Sequence, residues 1–334
     1  MNKSRCAEIL AALTGSRVLV VGDIMLDHFI WGRATRISPE APIPIVHLER
    51  ESFMPGGAAN VARNLTKLGA HAILFGVTGH DTAARKLAAL LRADGVDVSG
   101  LVAAPRRHTS TKMRIIAGQQ QVTRLDCETN GALDATTATT LRQKLDTALD
   151  KADAVIVGDY GKGVITPKLL ATLRRSCSKR KLWLSLDPKP AHTLDLRGLS
   201  LLTPNRREAF QLAGLPDSTR SIHPMEDQQL LKAANRLIQQ LCPTVLLITL
   251  GELGMLLCIK GQAPLHFDTV ARQVFDVSGA GDTVIASFTI AIVAGASPAE
   301  AAVFSNHAAG VVVGKIGTAS VDPHELHKSF SYFK

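Results

Sequence analysis

A glycine turn in the last quarter of the chain combines the residue types that phosphate chemistry requires. Residues 275–286 read FDVSGAGDTVIA, in which two glycines and then Asp282 precede a long uncharged run. The start of a helix presents free N–H groups and a partial positive charge, which together bind anions such as phosphate. Asp282 then has two interpretations. It caps a helix, as aspartate commonly does, or it is a base that faces a bound phosphate.

A pair of glycines earlier in the chain also has two interpretations. The segment SFMPGGAANVARNL (52–65) places Gly56 and Gly57 just before a predicted helix. They make a simple turn, or they let the backbone approach a polyhydroxylated ligand closely. In the second case Asn60 can both donate to and accept from hydroxyl groups of that ligand.

A third segment, PNRREAF (204–210), combines a helix start with two polar side chains. Asn205 and Glu208 have the spacing of a capping box, in which each side chain bonds to the backbone of the other residue. The same pair suits a nucleotide phosphate with its hydrated Mg²⁺, because this ion keeps several waters and takes few protein ligands.

Several common phosphate-binding and catalytic motifs do not occur in the sequence. GVVVGK (310–315) has three residues before its Gly–Lys pair where a Walker A loop has four, and Ile316 follows where the loop needs Ser or Thr. The first predicted strand leads into GDIMLD (22–27), which lacks the G-x-G-x-x-G of a dinucleotide site. H-E-x-x-H and G-x-S-x-G are also missing from the sequence. These differences exclude a P-loop NTPase and disfavour a dinucleotide-binding enzyme.

Short apolar runs alternate with helical patterns through most of the chain. The predicted strands are 17–22, 72–77, 153–158, 182–187 and 244–250. Apolar strands separated by helices predict a mainly parallel sheet with helices on both faces, which is a doubly wound α/β fold. Ligands of such folds bind beyond the carboxyl ends of the strands. Polar residues gather at those positions: Asp23, Asp27, Asp159, Tyr160, Lys162, Asp187, Lys189, Asn205 and Glu252.

Two stretches interrupt this alternation and predict a second, smaller sheet. Residues 24–55 are rich in proline and show no helical period, and residues 108–126 alternate like an exposed strand pair around Gly118. Prolines and alternation fit antiparallel edge strands better than a central sheet. We therefore expect one domain over residues 1–334, with the two stretches forming a small β lid inserted into the α/β body.

Composition and charge narrow the class of partner. The chain has 334 residues, of which 46% are hydrophobic and 20% charged, as is usual for a folded globular protein. Its net charge of +9, with only 4% aromatic residues, favours small anionic substrates over nucleic acid, whose bases stack on aromatic side chains. The densest basic run, 174–181, falls at the end of a predicted helix, where cations offset the helix dipole.

The cysteines and the apolar runs predict a cytoplasmic protein. The five cysteines are scattered and form no C-x-x-C pair, which fits a reducing compartment and argues against a zinc site or a disulfide framework. Asp282 and Glu300 are separated by 17 uncharged residues that include Pro298. This run is short for a membrane span and predicts a buried helix.

The segments described above occur in an order that resembles the ribokinase-like (PfkB) family of sugar kinases. That order is Asp27, the glycine pair, the N-x-x-E element, T-L-G-x-x-G (249–254) and D-x-x-G-A-G-D (276–282). The fold of the family, a doubly wound sheet with a β lid over the sugar, agrees with the predicted elements. Five segments are similar to the family members that phosphorylate D-glycero-β-D-manno-heptose 7-phosphate: 36–46, 158–164, 186–189, 201–205 and 308–318.

Three features of the chain differ from these relatives. Gly118 stands where relatives often carry an arginine, and Ser278 stands where the wider family usually has threonine. Many relatives of the heptose kinase type continue into a C-terminal nucleotidylyltransferase. This chain ends soon after the kinase segments, so we expect a stand-alone kinase.

The resemblance implies transfer of the γ-phosphoryl group of ATP to the anomeric O1 of the heptose 7-phosphate. The products would be ADP and a 1,7-bisphosphate for synthesis of the lipopolysaccharide core. Asp282 would be the general base, and charge on the transferring group would be stabilised by the N–H groups of Gly279, Ala280 and Gly281. The sugar hydroxyls would be held by Asp27, Gly56, Gly57, Asn60 and Asp159. The 7-phosphate would be held by Lys112, Arg114, Arg124 and Lys189.

The resemblance also implies a nucleotide site and its ions. The nucleotide would be lined by Asn205, Glu208, Thr249, Gly251, Gly254 and Asn306. Mg²⁺ would accompany ATP and be held, mostly through water, by Asn205 and Glu208. Some relatives bind a monovalent cation, and a K⁺ ion would here lie at Asp276 and Ser278.

Two other functions and an assembly follow from the same residues. The first alternative is another sugar or sugar-phosphate kinase of the family, with a substrate of the ribose, fructose or tagatose type. The second is a catalytically silent sugar-phosphate sensor, although a sensor has no need of Asp282. An exposed β lid can pair with its copy across a two-fold axis, which predicts a homodimer.

Overall fold

A computed structural model describes residues 1–118, 120–190, 194–219 and 223–331. Residue 119, which falls in the predicted lid, lies outside the described residues. The strands are β1 (Arg17–Gly22), β2 (Ile24–Ile37), β3 (Pro44–Gly57), β4 (His71–Thr78), β5 (Leu101–Ala103), β6 (Ser110–Ala117), β7 (Gln120–Cys127), β8 (Ala154–Gly158), β9 (Trp183–Asp187), β10 (Leu201–Leu202), β11 (Val245–Thr249), β12 (Met255–Cys258) and β13 (Leu265–Phe267). The α-helices are α1 (Lys3–Ala12), α2 (Ala58–Lys67), α3 (Thr82–Ala93), α4 (Ala135–Ala148), α5 (Pro167–Arg180), α6 (Arg206–Ala213), α7 (Gln228–Leu241), α8 (Ala280–Val293), α9 (Pro298–Val312) and α10 (Pro323–Ser329).

The larger sheet contains nine strands of the described chain, in the spatial order β13-β12-β11-β10-β9-β8-β1-β4-β5. β1 runs parallel to β4 on one side and to β8 on the other. The parallel pairing continues from β8 through β11, and β12 and β13 run antiparallel at one edge. The chain thus builds outward from β1 in both directions, which confirms the predicted doubly wound and mainly parallel fold.

Helices cover both faces of this sheet because its strands are apolar on both sides. In β1, Val18 and Val20 belong to the core that includes α1, α2, α8 and α9, whereas Leu19 and Val21 belong to the core that includes α4, α5, α6 and α7. All four side chains are fully buried. Successive side chains of a strand point to opposite faces, so an uninterrupted apolar run requires a cover on each face.

Helix α8 explains the long uncharged run of the sequence. Its residues from Asp282 to Ala291 are buried, and the helix packs against α2 and α9. A helix enclosed in this way has no polar face, as the sequence predicts. Within the described residues, no helix has the length and apolar character needed to cross a membrane.

The two stretches predicted as a lid form a separate sheet with the strand order β3-β2-β6-β7, which we call the small sheet. β2 pairs with β3 and β6 pairs with β7 in antiparallel fashion, and Gly118 has a φ of +63° at the end of the second hairpin. The expectation of antiparallel strands is wrong for β2 and β6, which pair in parallel. After β3 the chain passes through α2, β4, α3 and β5, and it returns to the small sheet as β6, which runs in the same direction as β2.

Candidate active site

Asp23 joins the ends of two neighbouring strands. It follows β1 and is 1% exposed. Its carboxylate accepts hydrogen bonds from the N–H groups of Tyr160 (2.9 Å), Lys162 (2.9 Å) and Val164 (3.0 Å) in the loop after β8. Its carbonyl accepts the N–H of Ala58 at the start of α2 (3.0 Å). Asp23 therefore fixes a loop and a helix around the carboxyl end of β1, where ligands of such sheets bind.

Asp282 lies in the first turn of α8 but does not cap that helix. The N-cap is Gly279, with a φ of +78°, and no described side chain makes a capping hydrogen bond there. Asp282 is 7% exposed. Its two carboxylate oxygens accept hydrogen bonds from the Tyr160 hydroxyl and from Asn60 Nδ2 (2.9 Å). The capping interpretation is wrong, because the carboxylate is directed to side chains of other elements.

The surroundings of Asp282 change its affinity for a proton. Burial raises the pKa of this carboxyl group from 3.8 to about 6. Hydrogen bonds from Tyr160 and Asn60 act in the opposite direction because they stabilise the charged form, and the negative charge of Asp27 adds to the increase. Such a carboxylate is mostly ionised at pH 7, yet it accepts a proton more readily than an exposed aspartate. These properties suit a general base.

Asn60 is held in place by buried polar contacts between α2 and α8. Its side-chain oxygen accepts a hydrogen bond from Asn64 Nδ2 (3.3 Å), and Asn64 Oδ1 accepts one from the Thr283 hydroxyl (3.1 Å). Gly57 precedes α2 with a φ of +59°, and a Cβ there would lie 2.7 Å from the Asp23 carbonyl oxygen. The turn that presents Asn60 to the base therefore requires glycine.

Basic side chains lie on the face of the small sheet that carries Asp27. Asp27 is 2% exposed, and Arg114 Nη1 lies 2.5 Å from its Oδ1. Paired residues of neighbouring strands point to the same face, so the register also places Lys112 beside Asp27, and Arg124 beside Arg114. Lys112 and Arg124 share Asp126, at 3.3 and 2.8 Å. The structure thus brings three predicted phosphate-binding residues together with Asp27.

Arg50 is a fourth cation on this face, and the sequence analysis missed it. It pairs with Trp31 of β2, and its guanidinium lies 4.2 Å from the centroid of the indole ring. Trp31 follows Asp27 by four residues in the same strand, so both side chains point to the same face. The alternation along β2 and β3 could have revealed Arg50, but only with the register of the hairpin known.

Gly56 lies beside Asp27, and Asp159 lies at the end of a neighbouring strand of the larger sheet. A Cβ at Gly56 would lie 2.4 Å from Asp27 Oδ2, so the backbone of the glycine pair runs directly beside that carboxylate. Asp159 follows β8, is 2% exposed and accepts the N–H of Gly161 (3.1 Å). Gly56 thus ends β3 of the small sheet, whereas Asp159 follows β8 at the carboxyl end of the larger sheet.

Lys189 lies beside the N-x-x-E turn and not among the cations of the small sheet. Its Nζ is 3.9 Å from Glu208 Oε1, and its side chain is 52% exposed. Asn205 and Glu208 form a reciprocal capping box at the start of α6, with two hydrogen bonds of 3.0 Å. The capping interpretation of this segment is confirmed. Glu208 Oε1 takes no part in the box and faces Lys189.

Negative charge accumulates between this turn and the base. Burial raises the pKa of Asp187, at the end of β9, to about 8, and the charges of Glu208 and Asp282 contribute to the increase. Buried carboxylates that lie near one another repel when both are ionised. A divalent cation, which prefers oxygen ligands, would relieve this repulsion. Within the described residues, no group of three His, Cys, Asp or Glu side chains has metal-binding geometry.

A cavity of about 610 Å³ opens beside the glycine turn. Its lining brings together the predicted residues Thr249, Gly251, Gly254, Asn306, Ala280 and Gly281. Gly254 has a φ of +81°, and a Cβ there would lie 1.9 Å from the Phe267 carbonyl oxygen, so this wall of the cavity requires glycine. The cavity thus joins four of the predicted nucleotide residues to the start of α8, whereas Asn205 and Glu208 line a separate cavity beside Lys189.

Asp276 connects the glycine turn to a second loop. Its Oδ1 accepts the N–H of Ser278 (2.9 Å), and its Oδ2 accepts the N–H of Gly317 (2.9 Å). Each carboxylate oxygen can accept a second partner. A monovalent cation at this position would therefore share the carboxylate with two backbone N–H groups.

The comparison with known families decides the class of this protein. Residues 16–325 match the sequence profile of the pfkB family of carbohydrate kinases. The chain belongs to this family. The resemblance noted in the sequence is confirmed, and the protein is an ATP-dependent carbohydrate kinase.

The kinase is similar over almost its whole length to longer bacterial proteins. It is 39% identical over 332 residues to the bifunctional protein HldE of Geobacter sulfurreducens, which covers 99% of this chain and 66% of that protein. It is 40% identical over 320 residues to the HldE of Caulobacter sp. strain K31, which covers 96% of this chain and 64% of that protein. The kinase thus spans slightly less than two thirds of the length of these relatives.

Solved structures share the fold of the kinase. Arabidopsis thaliana ribokinase complexed with ribose and ATP has a TM-score of 0.74 at 21% identity, over 95% of this chain and 99% of that one. Escherichia coli phosphofructokinase-2 in complex with potassium has a TM-score of 0.77 at 20% identity, over 96% and 99% of the two chains. At these identities the likeness supports the ribokinase-like fold alone.

Proposed function

We propose that this kinase transfers the γ-phosphoryl group of ATP to the anomeric O1 of D-glycero-β-D-manno-heptose 7-phosphate. The products are ADP and the heptose 1,7-bisphosphate, which would supply synthesis of the lipopolysaccharide core in the cytoplasm. The observation that carries this proposal is the place of Asp282. It lies at the start of α8, whose first residues line the nucleotide cavity, and it is close enough to Asp27 on the basic face of the small sheet for that charge to raise its pKa.

Asp282 and the N–H groups at the start of α8 have separate tasks in the proposed reaction. Asp282 takes the proton of the anomeric hydroxyl as that oxygen attacks the γ-phosphorus, and ADP leaves on the opposite side. N–H groups at the start of α8 stabilise charge on the transferring group. Because the Ala280 N–H already donates to the Val277 carbonyl (3.2 Å), we assign this task chiefly to Gly279 and Gly281.

The small sheet would close over the sugar as a lid. Hydroxyl groups of the sugar would be held by Asp27, Gly56, Gly57, Asn60 and Asp159. The 7-phosphate would be held by Arg50, Lys112, Arg114 and Arg124, four cations on a face that also carries two aspartates. Phosphate binding would compete with the Arg114–Asp27 ion pair and so free Asp27 for the sugar. Lys189, beside Glu208, fits the phosphates of the nucleotide better.

The ions accompany the nucleotide. Asn205 and Glu208 would hold Mg²⁺ through water, and the ion would neutralise charge on the ATP phosphates. Asp276 and Ser278 would hold K⁺ at the turn that precedes α8. The hydrogen bonds of Asp276 to both loops support this assignment, since a cation there would stiffen the approach to Gly279.

The proposed substrate is tested by ADP release with a panel of acceptors. The panel contains heptose 7-phosphate, unphosphorylated heptose, ribose, fructose 6-phosphate and tagatose 6-phosphate. We expect the highest kcat/KM with heptose 7-phosphate. A higher value with another acceptor would replace the heptose assignment by a different sugar kinase, and sugar-phosphate binding without ADP release would indicate a sensor.

Replacing Arg124 by alanine is expected to raise KM for the sugar phosphate about tenfold, because a hydrogen bond to a charged group contributes about 1.5–3 kcal/mol. KM for ATP should change less than about twofold, since Arg124 lies on the small sheet and pairs with Asp126. Lys189→Ala is the matched comparison, because it removes an exposed cation near the N-x-x-E turn. If Lys189→Ala raised KM for the sugar phosphate and Arg124→Ala did not, the binding site of the 7-phosphate would lie beside the N-x-x-E turn and not on the small sheet.

We also propose that two copies of the kinase pair through their small sheets. Large apolar side chains are exposed on or beside this sheet, including Ile37 (63%), Leu48 (60%) and Leu125 (57%). Exposed apolar side chains beside open strand edges favour association with another chain. Sedimentation velocity should show a dimer for the wild type and a monomer for Leu48→Glu. A wild-type monomer at micromolar concentration would contradict the proposal.

A further inference from the structure

Tyr160 reaches the base from the loop after β8, and its position is fixed from several sides. Its backbone N–H donates to Asp23 (2.9 Å), and its ring packs against the main hydrophobic core. A Cβ at Gly158 would lie 2.9 Å from its Cε2, and a Cβ at Gly57 would lie 3.4 Å from its Cδ2. The two glycines therefore leave the space that the ring fills. Its hydroxyl then reaches Asp282 Oδ1.

The carboxylate of the base is consequently held at both of its oxygens. Tyr160 donates to Oδ1 from the end of the sheet, and Asn60 donates to Oδ2 (2.9 Å) from α2. Two donors on different elements fix the plane of a carboxylate, which a single hydrogen bond cannot do. Each oxygen can still accept a second hydrogen bond, so the base can receive a substrate hydroxyl without losing either partner.

We propose that Tyr160 is a positioning residue for phosphoryl transfer: its hydroxyl fixes the orientation of the Asp282 carboxylate, so that a free lone pair of the base meets the acceptor hydroxyl of the sugar. This inference rests on the proposed function, because it takes Asp282 as the base. Rigid support of this kind matters for rate, since small errors in the position of a reacting group are costly.

The electrostatics of the site keep Tyr160 in the form that this task requires. Burial and the charges of Asp282, Asp187 and Asp23 raise the pKa of Tyr160 well above its ordinary value, so the phenol stays a neutral donor. Its hydrogen bond favours the ionised form of Asp282, whereas Asp27 from β2 and the burial of the site oppose that form. Asp187 from β9 interacts with the charge of Asp282 as well, but its own pKa is raised to about 8, so it titrates at higher pH.

Tyr160→Phe tests the inference, because it keeps the ring and removes only the hydroxyl. We expect kcat to fall about tenfold, a loss typical of one hydrogen bond to a charged group, while KM for ATP stays within about twofold. The acid limb of kcat/KM, expected near the Asp282 pKa of about 6, should move upward by about one pH unit because the ionised base loses a donor. The acceptor used is the best one of the panel, so a wrong heptose assignment leaves this test intact.

A matched control separates positioning from simple destabilisation. Ser185→Ala removes a fully buried hydroxyl that bonds Thr289 (2.7 Å), another residue of α8, and should leave kcat and the acid limb unchanged. If Tyr160→Phe lowered kcat equally at every pH and left the limb in place, the positioning role would be refuted. A second measurement needs no turnover: an NMR titration of the carboxyl ¹³C resonance of Asp282 gives the pKa of this group directly. The resonance is assigned by its loss in Asp282→Asn. If the pKa of Asp282 were the same in Tyr160→Phe as in the wild type, the inference would be overturned. This result can be obtained even if the kinase phosphorylates no acceptor of the panel.

Discussion

Replacing Asp282 by asparagine is expected to lower kcat by a factor of about a hundred to ten thousand, the range typical for loss of a general base. Asparagine has nearly the same shape: its oxygen can accept from Asn60 Nδ2, and its NH₂ can donate to the hydroxyl oxygen of Tyr160. The change therefore removes the proton acceptor and little else. Steady-state assays should show this loss at saturating ATP and sugar. Nucleotide affinity, measured by calorimetry, should change less than about threefold, because the nucleotide cavity is lined by neighbours of Asp282 and not by Asp282 itself.

The same variant should be more stable than the wild type at neutral pH. The folded-state pKa of Asp282 is raised from 3.8 to about 6, so the native state binds this proton more tightly than the unfolded state does. The stability associated with that proton is present at low pH and is lost as the pH rises through about 6. Asparagine carries no such charge. The Tm difference between variant and wild type should therefore be small near pH 4 and grow until about pH 6.

Two outcomes would contradict this account of the base. Turnover of Asp282→Asn within about tenfold of the wild type would show that another group accepts the proton. A Tm difference that is the same at pH 4 and pH 8 would show that burial of Asp282 costs the native state no stability. Gln240→Ala, an exposed position on α7, serves as a surface control for expression and handling.

The larger sheet could be predicted from the sequence because each of its signals is local. RVLVVG is apolar at successive positions, so it needs a cover on both faces, and that requirement alone points to helices on both sides. The pairing of β2 with β6 could not be predicted in the same way. The two strands are brought together by α2, β4, α3 and β5, whose path is set by the core of the larger sheet.

The role of Asp282 could not be decided from its neighbours in sequence. An aspartate at the start of a helix is compatible with a cap, and only the contacts with Asn60 and Tyr160, which are distant in sequence, show that it serves another purpose. The roles of the basic side chains could not be decided from the sequence either. Lys189 follows a predicted strand and resembles a ligand of the sugar phosphate, whereas Arg50 sits in a long hairpin whose register decides its face.

Replacing Gly279 by alanine is the second change expected to have a large effect. Gly279 has a φ of +78°, and its Cβ would lie 2.6 Å from Asn60 Nδ2. The methyl group must push away the amide that holds Asp282 Oδ2, and it also disturbs the N–H groups that we assign to the transferring phosphoryl group. Removal of one such donor typically costs about a hundred to a thousandfold in kcat. We expect a loss of this size in steady-state assays at saturating substrate.

Gly295→Ala provides a matched control for this prediction, because it separates collision from backbone strain. Gly295 follows the other end of α8 with a φ of +80°, and no atom lies within 4 Å of the position of its Cβ. Both variants force alanine into the left-handed region, at a cost of about 1–2 kcal/mol, so both should lower Tm by similar amounts. Only Gly279→Ala places a methyl group against Asn60, and only that variant should lose kcat. Equal losses of kcat in the two variants would trace the effect to strain in α8 and would remove the glycine turn from the chemistry.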